Sequence, residues 1–175
     1  MKNFLGIFSI LAIASPSFCQ RVCTADDVRV SLLTVEYLAG QMQSLVDIDH
    51  SDIDPSGRIY RNFMVQTNHL IQDLQCNIIA SPDEQLAICS AYEGFAAKEL
   101  AYLHVSEEPE FYQRNNNGPN GVKVHGYILQ AETALENYTS QIRNAVPSCT
   151  DRIDAAYQPL GVQLAHLLQS YPGTA

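Results

Sequence analysis

The chain has 175 residues, 46% of them hydrophobic, and a formal net charge of −9. That length suits one domain able to bury a real core. The acidity disfavours nucleic acid and anionic membrane surfaces as partners, and no Lys/Arg cluster overrides it.

The first residues read as a secretory signal peptide. Met1-Lys2-Asn3 is a short basic start, 4–14 is an unbroken apolar or small run, and Ser15 and Pro16 break it. Ser17 and Cys19 supply the small residues that cleavage requires, which places the cut after Cys19. The apolar run is too short for a permanent membrane helix and no later stretch rivals it, so no membrane span is expected. Removing 1–19 from 175 residues leaves 156, read as one domain over 20–175; Lys2 departs too, taking the charge from −9 to −10.

The first predicted helix covers 25–48. Thr24 is its N-cap, Asp26 and Asp27 suit the positive end of the helix dipole, and Val28, Leu32, Val35, Ala39, Met42 and Leu45/Val46 form its apolar stripe. An acidic loop over 47–57 follows. The second helix is expected over 59–79, with Phe63, Leu70, Leu74 and Ile78 on one face and Gln66 and Thr67 as a softer patch. The third opens on Ser81-Pro82-Asp83-Glu84, a capping box with proline at its first position, and runs to about 107. Two apolar lines mark it: Leu86, Cys89, Ala96, Leu100 and Leu103; and Ile88, Tyr92, Phe95 and Tyr102. A helix apolar on two sides belongs in the middle of a bundle.

Residues 108–121 carry two prolines and a run of Asn and Gly, and read as a long exposed loop. The fourth helix covers 122–146. Val124, Ile128, Ala131, Leu135, Tyr138, Ile142 and Ala145 repeat at alternating spacings of four and three, as packing along a bundle axis requires. Pro147 stops it. The fifth helix covers 150–171, with Ile153, Leu160, Leu164, Leu167 and Tyr171 in one register across Pro159, so a kink or two short helices in line are expected there. No sustained period-two run supports strands. The fold class is therefore all-α: a mostly antiparallel bundle of about five helices with two disulfides.

Cys23, Cys76, Cys89 and Cys149 remain in the mature chain. An even count in a secreted chain reads as two bridges, and the spacings fit no zinc site. Alternating helices bring all four to one end. Cys76–Cys89 with Cys23–Cys149 is the preferred pairing; Cys23–Cys76 with Cys89–Cys149 is the rival. Asn137-Tyr138-Thr139 is a glycosylation sequon, and Asn137 falls on the polar face of its helix.

No nucleophile motif, phosphate-cradling glycine loop or paired Glu-x-x-His is present, so the chain does not read as an enzyme and implies no cofactor. Asp47, Asp49, Asp52, Asp54, His50, His104 and His125 belong to the end opposite the cysteines. A metal or pH-sensing site there is conceivable, but Asp52 and Arg58 stand where a calcium loop needs Gly and Glu. The plain reading is a solvated acidic loop with surface histidines. His69 and His166 read as packing or surface residues.

The apolar stripes serve as core, and they could also enclose an apolar ligand. Phe95 and Tyr102 on the third helix, facing Ile128, Ala131, Leu135 and Tyr138 on the fourth, are the candidate ligand-binding residues. Asn144-Ala145-Val146-Pro147, Arg152-Ile153-Asp154-Ala155-Ala156, the closing Leu164-Ala165-His166-Leu167-Leu168-Gln169-Ser170-Tyr171 and Gln66-Thr67-Asn68-His69-Leu70 together resemble the fungal hydrophobic surface-binding protein family, which includes cell-wall galactomannoprotein antigens. The resemblance implies a secreted helical bundle that adsorbs to hydrophobic surfaces or holds fatty acids. A secreted effector or inhibitor acting on a protein partner is the alternative.

Overall fold

A computed structural model describes residues 21–49, 76–107, 109, 112, 118–171 and 173. The described chain is mostly helical. It comprises β1 (Arg21–Thr24), α1 (Ala25–Asp49), β2 (Cys76–Ile79), α2 (Pro82–Val105), α3 (Gly118–Ala145), a 3-10 turn over Pro147–Cys149, and α4 (Thr150–Ser170). The predicted second helix lies outside the described residues except for its end, 76–79. That end is a strand, paired in parallel with β1 so that Arg21 meets Cys76 and Cys23 meets Ile78. Ile78 and Ile79 are β-branched and fit an extended backbone once a partner strand satisfies their peptide groups.

The starts of α1 and α2 are fixed locally. At α1 the Thr24 hydroxyl accepts the Asp27 N–H at 3.2 Å, and the Asp27 carboxylate accepts the Thr24 N–H at 2.9 Å. At α2 the Glu84 carboxylate accepts both the N–H and the hydroxyl of Ser81 at 2.7 Å. α3 begins earlier than predicted, inside the stretch read as loop. Pro119 is its second residue, where a missing N–H breaks no helical hydrogen bond. α4 is one continuous helix across Pro159. The proline removes the bond that the Ala155 carbonyl would accept, but both residues are exposed and water can serve that oxygen.

α2 is central, packing on α1 along one side and on α4 along another, while α3 packs on α4. Ser148 meets Gln85 near the start of α2, and Arg152 meets Glu93 further along it. His166 meets Glu107 beyond its end. α4 therefore runs parallel to α2. α1 is also parallel to α2, since each follows one of two parallel strands. α3 runs against them. The predicted stripes supply the core: Val28, Leu32, Val35 and Ala39; Ile88, Tyr92, Phe95 and Tyr102; the α3 stripe from Val124 to Ile142; and Ile153, Leu160, Leu164 and Leu167. Leu86, placed on an apolar line of α2, is half exposed instead.

Cys89 is bonded to Cys149, with Cα atoms 6.6 Å apart. This overturns the preferred pairing, which gave Cys89 to Cys76 and Cys149 to Cys23. The expectation that the cysteines gather at one end does hold for the backbone: β1, β2, the first turns of α2 and the α3–α4 joint share that end. The pairing differs because Cys89, two turns into α2, faces the α3–α4 joint, where the Cys149 sulfur also lies 3.7 Å from the Gln85 carbonyl oxygen.

Candidate functional site

The six candidate ligand-binding residues converge. Phe95, Tyr102, Ile128, Ala131, Leu135 and Tyr138 are all buried in one cluster. The Phe95 ring meets the Tyr138 ring edge-to-face at 6.3 Å and the Tyr92 ring at 5.9 Å. Such geometry sets the positive edge of one ring against the negative face of another.

Hydroxyls punctuate this interior. Thr139 donates to the Leu135 carbonyl at 2.7 Å, which uses its only proton. Tyr92 must then be the donor in its 2.6 Å bond to the Thr139 oxygen. Tyr138 and Ser31 approach at 3.5 Å across α3 and α1. Burial pushes the Tyr92 phenol above its ordinary value, and the Thr139 bond only partly opposes it. The Tyr102 phenol is raised by burial too, with the negative charge of Glu99 adding to it. Both phenols therefore stay protonated around neutral pH.

Two buried polar side chains were not anticipated. Glu99 is 2% exposed and Gln163 is 7% exposed. Both positions are marked in the sequence: Glu99 is four residues after Phe95 and three before Tyr102, and Gln163 lies between Leu160 and Leu167 on the same phase. The hydropathy pattern hides them because it treats a polar residue as outward-facing.

At the end opposite the disulfide, Glu107 binds two imidazoles. Its Oε1 lies 2.5 Å from His166 Nδ1 and its Oε2 lies 3.4 Å from His104 Nδ1. Partial burial pushes the Glu107 carboxyl up, but Gln163, His166 and His104 outweigh that and hold it below the usual carboxylate range. Among the described residues Gln163 Nε2 has no partner at full hydrogen-bond geometry, although it lies close enough to Glu107 to favour its charge. Beside this group, Tyr171 donates to the Ser106 carbonyl at 2.7 Å and His125 Nδ1 lies 3.1 Å from the Tyr171 carbonyl. The Tyr112 and Tyr171 rings meet at 5.4 Å.

His104 and His125 thus share the end expected of them, and His166 joins them there from the surface of α4. His50, His69, Asp52 and Asp54 lie outside the described residues. Asp47 and Asp49 belong to the end of α1, which extends into the predicted loop. Among the described residues no cluster of His, Cys, Asp and Glu is arranged to hold a metal ion, and no helix is long and apolar enough to cross a membrane. Asn137 is exposed on α3. Comparisons with protein-family models, with curated proteins and with solved structures found no match.

Proposed function

We propose that this chain is a secreted, non-enzymatic protein that binds fatty acids or similar apolar ligands between α2, α3 and α4. The observation that carries the reading is the convergence of Phe95, Tyr102, Ile128, Ala131, Leu135 and Tyr138 in one buried cluster, with tyrosine and threonine hydroxyls inside it to orient a polar head group. A bridge between Cys89 and Cys149 fits an oxidising compartment, as does the signal-like segment over 1–19. Cys23 is itself disulfide-bonded, and of the two pairings drawn from the sequence, the one that joins it to Cys76 is the one compatible with Cys89–Cys149.

Displacement of a fluorescent fatty acid tests the reading. Ala131 is buried in the α3 stripe. Ala131→Phe crowds the stripe at a cost of about 1–3 kcal/mol in overpacking, and is expected to lower uptake while the helical content stays unchanged. Glu136→Gln, an exposed change on α3, should leave uptake unchanged. No binding by delipidated wild type at micromolar lipid would sink the proposal.

One observation favours a protein partner as the second reading. Val30, Leu33 and Tyr37 are 54%, 47% and 64% exposed, and their spacing of three and four puts them on one face of α1. Leu33→Ala with Tyr37→Ala should weaken such an association and leave fatty-acid displacement unchanged.

A further inference from the structure

α4 is fastened to α2 at two places, and the two fastenings differ in chemistry. Near the disulfide, Arg152 binds Glu93 through Nε at 2.8 Å and through Nη2 at 2.6 Å, and Nη2 also reaches the Ser90 hydroxyl at 3.2 Å. At the far end, His166 binds Glu107, which His104 flanks. His166 follows Arg152 by fourteen positions, and Glu107 follows Glu93 by fourteen. The two bridges are therefore equivalent contacts in one parallel register. Each sets a nitrogen base of α4 against a carboxylate of α2 or the turn after it.

We propose that the His166–Glu107–His104 group is a pH-sensitive latch that closes the end of the α2–α4 pair in mildly acid solution and loosens it toward neutrality. An arginine stays charged at every pH the fold meets, so the Arg152–Glu93 bridge does not switch. Histidine is the side chain that changes charge between pH 5 and 8. With both imidazoles protonated, one carboxylate lies between two cations. With both imidazoles neutral the carboxylate still accepts an N–H bond, but the attraction between opposite charges is gone.

The described side chains around the latch come from α2, α3, α4 and the turns that follow α2 and α4. α2 and its following turn supply His104 and Glu107, and α4 supplies His166 and Gln163. Tyr112 and Tyr171 flank it, and α3 supplies His125 through the Tyr171 carbonyl. Among the described residues these contacts include no lysine, arginine or second carboxylate.

The location gives the latch a consequence. The opposite end of α4 is held by both the disulfide and Arg152, so loosening acts at the Tyr171 end alone. There the Tyr171 hydroxyl bonds the Ser106 carbonyl beside the buried Tyr102. This inference does not rest on what the core binds.

Amide hydrogen exchange at pH 5.5 and 7.5, corrected for intrinsic rates, reads it directly. In the wild type, protection over 102–107 and 163–170 should be about threefold higher at pH 5.5, the size expected when an exposed ion pair forms. Protection over 85–93 and 150–156 should not change. Glu107→Gln should abolish the difference at the latch end. His104→Gln combined with His166→Gln should do the same, and serves if Glu107→Gln fails to fold. An equal pH response at both ends, or an undiminished response in the variants, would overturn the proposal.

Discussion

Replacing Cys89 and Cys149 together by alanine tests how far the bundle depends on its staple. The two residues are 60 apart in sequence. In the chain-entropy account, leaving a loop of that length open in the unfolded state costs the fold about 4 kcal/mol at 25 °C. Both sulfurs are also buried, so their removal takes packing from the junction of α2 with the α3–α4 joint and adds to the loss. Domains of this size have only about 5–15 kcal/mol in total, so the variant should fold marginally. The assay is urea unfolding of wild type and variant at one pH, comparing midpoints and slopes. Non-reducing peptide mapping on the wild type should recover the Cys89 peptide joined to that of Cys149. A loss below about 1 kcal/mol at unchanged slope would refute the entropic reasoning. A Cys76–Cys89 peptide would refute the arrangement itself.

Other outcomes follow from the interior and the surface. Tyr92→Phe leaves Thr139 bonded to the Leu135 carbonyl and should cost about 1 kcal/mol, whereas Thr139→Val leaves a buried phenol without its acceptor and should cost about 1–3 kcal/mol, in thermal or urea unfolding. Because the folded Glu107 carboxyl is held below its ordinary value, its contribution is complete above the unfolded carboxylate value and is lost as pH falls through the folded one. Urea midpoints should therefore fall more steeply between pH 5 and pH 3 in wild type than in Glu107→Gln. Asn137→Gln should remove any glycan mass from the protein secreted by a glycosylating host without changing its unfolding midpoint, since Asn137 is exposed.

The elements differ in how much of themselves they display in the sequence. The α3 stripe reads correctly because its alternating spacing carries its own phase, and every residue from Val124 to Ile142 on it is buried. The starts of α1 and α2 read correctly because a cap is a local interaction between residues three apart. β1 and β2 do not read at all. Each is four residues long and acquires strand character only from the other, so no window along the chain contains the signal. The cysteines are intermediate: alternating helices bring them to one end, but choosing among pairings requires knowing which face of α2 turns toward the α3–α4 joint.

The Glu107 cluster shows what a sequence pattern lacks even when every helix is placed. His104 and Glu107 are three apart and visible as neighbours, but His166 is on another helix and could meet any residue of α2 until the register is known. One contact supplies that register. Once Arg152 is set on Glu93, two parallel helices of equal rise carry position 166 to the level just past the end of α2, where the following turn holds Glu107. Polar residues at one bridge thus constrain those at the other. The bridges are separate chemically because arginine and histidine differ in when they are charged, and linked geometrically because the helices between them are rigid. A substitution that shifts the α2–α4 register at Arg152 should therefore also disturb the latch, although the two sites share no atoms.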